Sequence, residues 1–314
     1  MTKVSICTIT YNHEAYIAQA IEGVLMQRGP DIEVEMVIGD DVSSDNTRAI
    51  VADYARRFPE SIKPLFHPKN LGPGANSRAC LAACTGEFIA ALEGDDYWTD
   101  PNKLRLQVAA MREHPTAGLS FHDAETFNDE DGKVEWTFGE EFPHILPPAG
   151  SAPKLFSQLD FARYGWFVPT ASMLFRASSI PLPVPDWFEG VYSGDYTLQL
   201  LSTRQGPAVY LPRVMSRYRI HQKGLGNIMA QSEDKFKRRI FEAKMFQQHV
   251  FSPKDRKHAD VYLAMQYKGY ARYLLSQGRR WTQMLYMMKS MYYDRQRLPI
   301  YLERRLQQFN NSKG

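Results

Sequence analysis

Strand-like and helix-like segments alternate through the first 120 residues of this chain, and that alternation limits the folds it can adopt. Four runs rich in valine, isoleucine and other apolar residues predict strands over residues 4–10, 34–38, 62–66 and 87–92. A helix is predicted after each of them, from apolar residues at helical spacing after the first, second and fourth strands and from Gly72-Pro73-Gly74 after the third. This order favours an α/β fold with a parallel sheet that helices cover on both faces. Ligands of such sheets bind beyond the carboxyl ends of the strands.

The later parts of the chain have different patterns. The stretch that follows residue 120 is less regular and richer in proline, with strands predicted over 170–175 and 209–218 and a helix over 195–204. Beyond it the sequence predicts mainly helices. We therefore expect one domain over residues 1–225, with parts 1–120 and 121–225, and a helical extension over 226–314.

Charge is distributed unevenly between these regions. From residue 222 onward the chain has 19 Lys+Arg and 7 Asp+Glu, a net charge of +12, which leaves −9 on the remainder. No apolar run reaches the roughly 18 residues of a membrane-spanning helix, and the N-terminus has no signal-peptide pattern. The three cysteines form no disulfide framework. These features predict a cytoplasmic protein, and we expect no nucleic-acid partner.

An acidic segment follows the fourth predicted strand. Glu93, Asp95 and Asp96 place three carboxylates within four residues, which is electrostatically costly unless a cation neutralises them. Such oxygen ligands suit Mg²⁺ or Mn²⁺, and an ion of this kind can bridge a diphosphate and stabilise its departure. The alternative is an acidic turn in which Asp96 or Asp100 caps the next helix.

Polar residues also follow the first two predicted strands. At the end of the second strand, the carboxylate of Asp40 or Asp41 could accept a hydrogen bond from the N–H of a nucleobase, whereas Ser44 and Asp45 suit helix capping. At the end of the first strand, Tyr11 could stack on a base or simply pack against the protein.

As an ordered set, these segments resemble the motifs of glycosyltransferase family 2. The set comprises Thr10-Tyr11-Asn12, Asp40-Asp41 with Ser43 and Asp45-Asn46-Thr47, Asn70-Leu71-Gly72, Thr85-Gly86-Glu87 and Glu93-Gly94-Asp95-Asp96. The resemblance covers about residues 3–221. It implies the GT-A fold, a Rossmann-like mixed sheet flanked by helices, and an inverting transfer of sugar. Residues 1–225 would then be the catalytic domain, with nucleotide-sugar binding in its first part and acceptor binding and catalysis in its second.

The same resemblance implies roles for individual residues. Tyr11 and Asp41 would hold the base, Asp95 would contact the ribose, and Asp96 would bind the metal. The remaining residues that we assign to donor binding on this basis are Thr10, Asn12 and Asn76. Because Glu93 stands where the family often has aspartate, the choice of carboxylates that touch the ion stays open.

Two further sites follow from the resemblance. Asp195, which opens a predicted helix after Ser193-Gly194, is placed as the catalytic base, with a helix N-cap as the alternative. His221, at the end of the last predicted strand, is either a metal ligand or a structural histidine. Arg219 could face the diphosphate.

The resemblance therefore predicts an inverting glycosyltransferase with Mn²⁺ or Mg²⁺ as cofactor. Its donor would be a nucleotide-diphosphate sugar, with UDP as the nucleotide, and its acceptor a hydroxyl of a glycan or lipid-linked saccharide in cell-surface polysaccharide synthesis. Two alternatives are a sugar nucleotidyltransferase and a non-catalytic nucleotide-binding protein. The first would need a glycine-rich loop after strand one, and residues 4–12 contain no glycine.

The basic extension allows two interpretations. Its helices could pack on the catalytic domain or on a second copy in a homo-oligomer, or they could attach peripherally to an anionic membrane on its inner face, near a lipid-linked acceptor. The arginines that would supply the charge are Arg279, Arg280, Arg295, Arg297, Arg304 and Arg305.

Overall fold

The computed structural model describes residues 1–222, 224 and 232–295. The chain divides into two compact units. The first comprises Met1–Glu189 and Gly194–Gly224, and the second comprises Gly190–Ser193 and Leu225–Gly314. Three of the extension's arginines, Arg297, Arg304 and Arg305, lie outside the described residues.

The first unit begins with four parallel strands. They are β1 (Thr2–Thr10), β2 (Ile32–Asp40), β3 (Ile62–Phe66) and β4 (Phe88–Glu93). The helices between them are α1 (Ile17–Leu25), α2 (Thr47–Arg57) and α3 (Pro73–Ala83). The strands lie in the order β3-β2-β1-β4, so the parallel arrangement predicted for this region is confirmed.

The rest of the unit extends the same sheet. The additional strands are β5 (Tyr97–Trp98), β6 (Leu119–Asn128), β7 (Val134–Thr137), β8 (Lys154–Phe156), β9 (Leu174–Arg176) and β10 (Ala208–Ile220). The helices are α4 (Lys103–Glu113), α5 (Phe138–Glu141), α6 (Gln158–Tyr164) and α7 (Gly194–Ser202), with 3₁₀ turns at Thr170–Ser172, Ala177–Ser179 and Asp186–Gly190. The sheet continues β4-β9-β6-β10-β5, and β9 runs antiparallel to both β4 and β6. The mixed sheet expected for the whole domain is therefore confirmed.

Apolar side chains hold the first helices against the sheet. On α1, Ile17, Ile21 and Val24 are buried, at the helical spacing that the sequence shows. They belong to the same cluster of buried residues as Ile6 of β1 and Leu92 of β4. Burying each such side chain stabilises the fold by about 1.5–3 kcal/mol. This packing fixes the strand ends at which the polar segments lie.

The sequence and the structure differ in two strands of the later region. The strand predicted over residues 170–175 is wrong in its first half, because the backbone N–H and the hydroxyl of Ser172 both donate to the carbonyl of Pro169 and close a 3₁₀ turn. Strand β6 was not predicted. Its interior contains His122 and Asp123, both buried, which interrupt the apolar pattern that would have marked it.

Over residues 232–295 the second unit is mainly helical, as predicted. Its helices are α8 (Glu233–Met245), which continues as a π-helix over Phe246–Val250, α9 (Arg256–Ser276) and α10 (Arg280–Asp294). Ile240, Leu263, Tyr267, Tyr270 and Leu274 form its core. Among the described residues, none of the helices combines the length and the apolar character that crossing a bilayer requires.

Candidate active site

The predicted polar segments meet at one edge of the sheet. Thr10 at the end of β1 pairs with Asp40 at the end of β2, and Ile9 pairs with Glu93 at the end of β4. The parallel register therefore brings the three segments side by side, although about 30 to 50 residues separate them along the chain. The backbone N–H of Asp41 also donates to the carbonyl of Thr10 at 3.1 Å. This edge is where a doubly wound sheet binds its ligands.

The turn after β1 is bound to the turn after β2. Asn12 has a positive φ of 56°, a conformation that asparagine tolerates better than most residues. Its side-chain oxygen accepts the backbone N–H of Ser44 at 2.8 Å, and its own N–H donates to the hydroxyl of Ser43 at 2.9 Å. Asn12 thus joins the two turns, and its direct contact with a donor stays a prediction. The neighbouring Tyr11 is 49% exposed, which suits a stacking surface.

Asp41 is buried and holds the loop before α3. One carboxylate oxygen accepts the N–H of Leu71 at 2.7 Å, and the other accepts the N–H of Gly72 at 2.9 Å. The amide of Asn70 donates to the backbone carbonyl of Asp41 at 2.9 Å. Because each carboxylate oxygen has two lone pairs, these bonds leave acceptor capacity for one N–H from a ligand.

Asn76 is a buried residue near the start of α3, the helix that follows this loop. Its amide donates to the carbonyl of Gly39 at 2.8 Å, and its oxygen lies 2.9 Å from Nε2 of His67. A Cβ on Gly39 would lie 2.0 Å from that oxygen, so the close approach requires glycine here. These contacts give Asn76 a structural role in this fold. A direct contact with the donor, which the resemblance implies, would need these hydrogen bonds to be exchanged.

Asp95 lies between two histidines. Its Oδ2 atom is 3.0 Å from Nε2 of His221, at the end of β10, and 3.7 Å from Nε2 of His13, in the turn after β1. Burial acts to raise the pKa of Asp95, but the hydrogen bond from His221 and the charges of both histidines hold it below its usual value. Burial also lowers the pKa of His13. The carboxylate of Asp95 is therefore ionised and tightly held.

Asp96 is the more deeply buried of the two aspartates. Its Oδ1 accepts the backbone N–H of Arg219 at 2.8 Å, whereas its Oδ2 is buried and has no hydrogen-bond partner among the described residues. Burial raises the pKa of Asp96 well above its usual value, and the charges of Asp95 and Glu93 add to the effect. Asp100, by contrast, accepts the N–H of Asn102 at 2.8 Å, in the turn that precedes α4.

These side chains fit a divalent cation that takes its other ligands from outside the chain. No group of three His, Cys, Asp or Glu side chains forms a complete metal cluster within residues 1–222, 224 and 232–295. Mg²⁺, however, is usually held by one or two carboxylates together with substrate phosphates. For His221 to be a ligand, its Nε2 would have to exchange the hydrogen bond that it makes with Asp95. The unpaired oxygen of Asp96 provides a further ligand of the right chemistry.

Arg219 is bound by protein groups on several sides. Its guanidinium donates to the backbone carbonyl of Asp95, to the side chain of Gln19 and to the carboxylate of Asp129, and it stacks 4.5 Å from the ring of Tyr16. The Tyr16 hydroxyl in turn donates to Asp129 at 2.8 Å. These contacts fix the segment that carries Asp95. For Arg219 to face a diphosphate, as predicted, some of them would have to be exchanged.

Asp195 lies in the first turn of α7. Its carboxylate accepts hydrogen bonds from the side chains of Trp166 and Thr170, with Thr170 Oγ1 at 3.4 Å. Burial raises the pKa of Asp195 despite these bonds. Glu93 also interacts with Asp195, and burial together with the charges of Asp95 and Asp195 raises the pKa of Glu93 to about 8. A carboxylate with a raised pKa is suited to act as a general base.

His13 is a site residue that the sequence did not predict. Its Nδ1 and the hydroxyl of Thr10 are both buried without a partner in the described part of the chain. Both face the Cα of Gly94, where an added Cβ would lie 3.0 Å from Nδ1 and 2.8 Å from the hydroxyl. The one feature of the sequence that could have indicated a site role for His13 is its position directly after Thr10-Tyr11-Asn12. A single histidine in a turn carries too little information to be assigned to a site.

Comparison with known sequences identifies relatives of this chain. The family model described as "Glycosyl transferase family 2" matches residues 5–170. The uncharacterized protein Rv1520 of Mycobacterium tuberculosis is 35% identical over 221 residues, which are 70% of this chain and 60% of that protein. The chain thus spans about 60% of the length of this relative. The poly(ribitol-phosphate) beta-N-acetylglucosaminyltransferase TarS of Staphylococcus aureus is 32% identical over 114 residues, which are 36% of this chain and 20% of TarS.

Solved structures show the same fold. TarS residues 1–349 in complex with UDP-GlcNAc align with a TM-score of 0.58 at 16% identity, covering 94% of this chain and 90% of that one. The mannosyltransferase PcManGT of Pyrobaculum calidifontis, in complex with GDP-Man and Mn²⁺, aligns with a TM-score of 0.57 at 16% identity. The alignment covers 93% of this chain and 87% of PcManGT. At this level of identity the likeness establishes the architecture, and it agrees with the GT-A fold expected from the sequence.

Proposed function

Because the chain belongs to glycosyl transferase family 2, we propose that it transfers a sugar, with inversion, from a nucleotide-diphosphate donor to a hydroxyl group. The observation that carries this proposal is the convergence of three kinds of group at one edge of the sheet. Tyr11 and Asp41 suit a nucleobase, Asp95 and Asp96 suit a metal-bound diphosphate, and Asp195 suits a general base.

In the proposed donor site, the base stacks on the exposed ring of Tyr11 and donates an N–H to Asp41. The amides of Leu71 and Gly72 hold the Asp41 carboxylate in place before the donor arrives, so little entropy is lost on binding. Asp95 accepts a hydrogen bond from the ribose, in a carboxylate orientation that His221 and the Arg219 network maintain.

Asp96 and His221 are the residues that would hold Mn²⁺ or Mg²⁺, with Asp95 beside them. A bound ion supplies positive charge that stabilises the departing nucleoside diphosphate. The chain itself contributes the buried carboxylate of Asp96, whose unpaired oxygen otherwise has an unfavourable environment.

Asp195 is proposed to remove the proton from the acceptor hydroxyl as that oxygen attacks the anomeric carbon. The attack comes from the face opposite the leaving diphosphate, so a single displacement inverts the configuration. In the complex with both substrates, the carboxylate must come within about 3 Å of the hydroxyl. Its raised pKa increases its affinity for that proton.

We further propose a UDP-sugar as donor and a glycan or lipid-linked saccharide as acceptor, in cell-surface polysaccharide synthesis. The support is that the relative TarS is a poly(ribitol-phosphate) beta-N-acetylglucosaminyltransferase, and that its structure has been solved with UDP-GlcNAc. The GDP-Man complex of PcManGT makes GDP the alternative nucleotide that a test must include. A lipid-linked acceptor would bring the enzyme to a membrane surface.

The direct test is a thermal-shift screen of UDP-, GDP- and TDP-sugars with and without Mn²⁺. A ligand present at 100 times its Kd adds about 2.7 kcal/mol to the free energy of unfolding, which is a measurable shift. We expect one nucleotide class to stabilise the protein in a Mn²⁺-dependent manner, and slow hydrolysis of that donor to release the nucleoside diphosphate. If no nucleotide sugar stabilises the protein and none is hydrolysed, the proposal is wrong.

A further inference from the structure

One face of helix α10 is apolar and exposed. Five large side chains lie on it at spacings of three, four and seven residues, so they form a continuous stripe along a helix about 22 Å long. Its members are Trp281, Met284, Leu285, Met288 and Tyr292. Trp281 is 84% exposed and Met288 is 62% exposed. We call this surface the α10 stripe. An apolar patch of this kind on a folded protein indicates an interaction surface.

The opposite face of α10 packs on α9. The hydroxyl of Ser290 donates to the carbonyl of Ala264 at 2.9 Å. The ring of Tyr286 lies 4.6 Å from that of Tyr270, edge to face, and Tyr293 contacts Tyr267 in α9. Tyr293 therefore belongs to the core of this unit, whereas Tyr292, its neighbour in sequence, belongs to the stripe. The packing leaves the α10 stripe directed away from α9.

The charge around the α10 stripe is strongly positive. Residues 256–295 contain eight Lys+Arg and two Asp+Glu, a net charge of +6. Exposed arginines mark both ends of the stripe, since Arg280 precedes Trp281 and the guanidinium of Arg295 lies 4.2 Å over the ring of Tyr292. Apolar side chains bordered by arginine are typical of helices that lie in the interface of an anionic membrane.

The positive charge around the α10 stripe favours some binding partners over others. In a symmetric dimer with stripe against stripe, a second copy of this chain would place another +6 opposite the first, and residues 296–314 of the same chain carry four Lys+Arg and one glutamate. Both would be repelled electrostatically. A nucleic acid would match the charge but not the apolar side chains. An anionic lipid surface matches both properties.

We propose that the α10 stripe is the membrane-binding surface of this protein, with α10 lying in the plane of an anionic membrane. Trp281, Leu285 and Met288 enter the boundary between headgroups and acyl chains, while Arg280 and Arg295 contact anionic headgroups. This inference concerns binding alone and does not depend on the transfer reaction. It adds a lipid partner and a defined surface to the proposed function.

The experiment is co-sedimentation of the full chain with vesicles, in the absence of any donor. We expect binding to phosphatidylcholine vesicles that contain phosphatidylglycerol, much weaker binding to phosphatidylcholine alone, and weakening by salt. The double variant Leu285→Asp/Met288→Asp should bind at least about tenfold more weakly, because it removes two buried apolar contacts. The matched control is Leu155→Asp in the first unit, since Leu155 is 48% exposed and Leu285 is 49% exposed.

Charge is tested separately with Arg280→Gln and Arg295→Gln. Each should weaken binding about fivefold, which corresponds to roughly 1 kcal/mol per basic residue near an anionic surface. Circular dichroism establishes that each variant is folded, and the single variant Met288→Asp replaces the double one if it is not.

Three outcomes would overturn the proposal. The first is no binding to anionic vesicles at low salt. The second is binding that the arginine variants weaken but Leu285→Asp/Met288→Asp does not, which would indicate a general anion-binding surface suited to nucleic acid. The third is a dimer, seen in sedimentation equilibrium, that the double variant dissociates while vesicle binding is unchanged.

Discussion

The Nε2 atom of His221 lies 3.0 Å from the Oδ2 atom of Asp95, although 126 residues separate them along the chain. The contact joins the end of β10 to the segment that follows β4. It also keeps the pKa of the partly buried Asp95 below its usual value, because the hydrogen bond from His221 counteracts the effect of burial. The hydrogen bond thus holds the Asp95 carboxylate at the edge of the sheet where the donor is proposed to bind.

Loss of the metal ligands should abolish metal-dependent nucleotide binding. In Asp96→Asn, the uncharged amide cannot neutralise the ion, so Mn²⁺-dependent binding of the nucleoside diphosphate should weaken about 100-fold or more, and in His221→Ala about 10- to 100-fold. Isothermal titration with and without Mn²⁺ measures both. Asp131→Asn, in an exposed turn with Lys133, is the control and should bind normally. Unchanged Mn²⁺ dependence in Asp96→Asn would remove Asp96 from the metal site.

Replacing the proposed base should affect turnover and leave donor binding intact. Asp195→Asn should lower kcat by about 10²–10⁴-fold, because an amide cannot accept the acceptor's proton. The donor Kd should stay within about threefold of the wild type, because Asp195 does not contact the nucleotide in this proposal. Asp186→Asn is the control, since Asp186 pairs with Arg78 and should leave kcat nearly unchanged. A wild-type kcat in Asp195→Asn would contradict the assignment.

The pH dependence of kcat/KM provides a second measurement on Asp195. Protonation inactivates a general base, so activity should fall as the pH decreases through its pKa. Burial raises that pKa, and the acidic limb should therefore lie above the ordinary value of 3.8 for aspartate. An acidic limb at or below that value would indicate that another group is the base.

The configuration of the product tests the single displacement. If the acceptor oxygen attacks opposite the leaving diphosphate, an α-linked donor gives a β-linked product. The anomeric proton coupling in the NMR spectrum of the product distinguishes the two. An α-linked product would require a covalent intermediate or a front-side mechanism, and would refute the proposed role of Asp195.

The sequence predicts the strands and the polar segments of the first 120 residues well because local patterns encode them. Parallel strands alternate with helices there, and polar residues at the strand ends must come together at one edge of the sheet. Asp41, Asp95 and Asp96 could be located in this way. The order of the later strands could not, because β9 enters the sheet between β4 and β6 through non-local pairing.

The partners of individual side chains were less predictable than their locations. Arg219 was expected to face a diphosphate, but Asp129 and Gln19, which are 90 and 200 residues away in sequence, hold its guanidinium. Asn76 was expected near the donor, but its amide satisfies the buried carbonyl of Gly39. A sequence shows which residues can form hydrogen bonds, whereas the tertiary fold determines which of those bonds form.

Glu93 should make the stability of the protein depend on pH. Its folded-state pKa is raised from 4.5 to about 8, so the folded protein binds its proton more tightly than the unfolded chain. The resulting stability is present in full below pH 4.5 and is lost as the pH rises toward about 8. The glutamine side chain of Glu93→Gln is uncharged at every pH, so this variant should not lose that stability as the pH rises.

The measurement is the Tm of each protein between pH 5 and 8.5. EDTA is present throughout, because a bound metal ion would neutralise the carboxylates of Glu93, Asp95 and Asp96. Over that range, the Tm of Glu93→Gln should decrease less than that of the wild type, by about 2 °C or more. Asp96, whose pKa the charge of Glu93 raises, and Asp195, whose charge raises the pKa of Glu93, are coupled to this group, so the difference between the two curves reports the titration of Glu93 together with its effect on these aspartates. The exposed Glu87→Gln is the control. Parallel curves for wild type and Glu93→Gln would show that Glu93 is ionised in the fold.

Val42 stores backbone strain in the turn between Asp41 and Ser43. Its φ is +66°, in the left-handed region that β-branched residues rarely adopt. Strain of this kind costs on the order of 1–3 kcal/mol and persists only where the surroundings impose it. Here the surroundings are the amides that hold Asp41 and the hydrogen bond from Asn12 to the hydroxyl of Ser43.

Val42→Gly should therefore stabilise the protein, because glycine adopts this conformation without a steric cost. The gain should be about 1 kcal/mol, since the greater freedom of glycine in the unfolded chain offsets part of the relief. Chemical denaturation measures the change, and Val134→Gly, at an exposed strand position with ordinary backbone geometry, should instead destabilise by about 0.5–1 kcal/mol. Nucleotide affinity should stay within about threefold, because the amides of residues 71 and 72 hold Asp41 independently of Val42. Equal destabilisation by both substitutions would show that the turn imposes no strain on Val42.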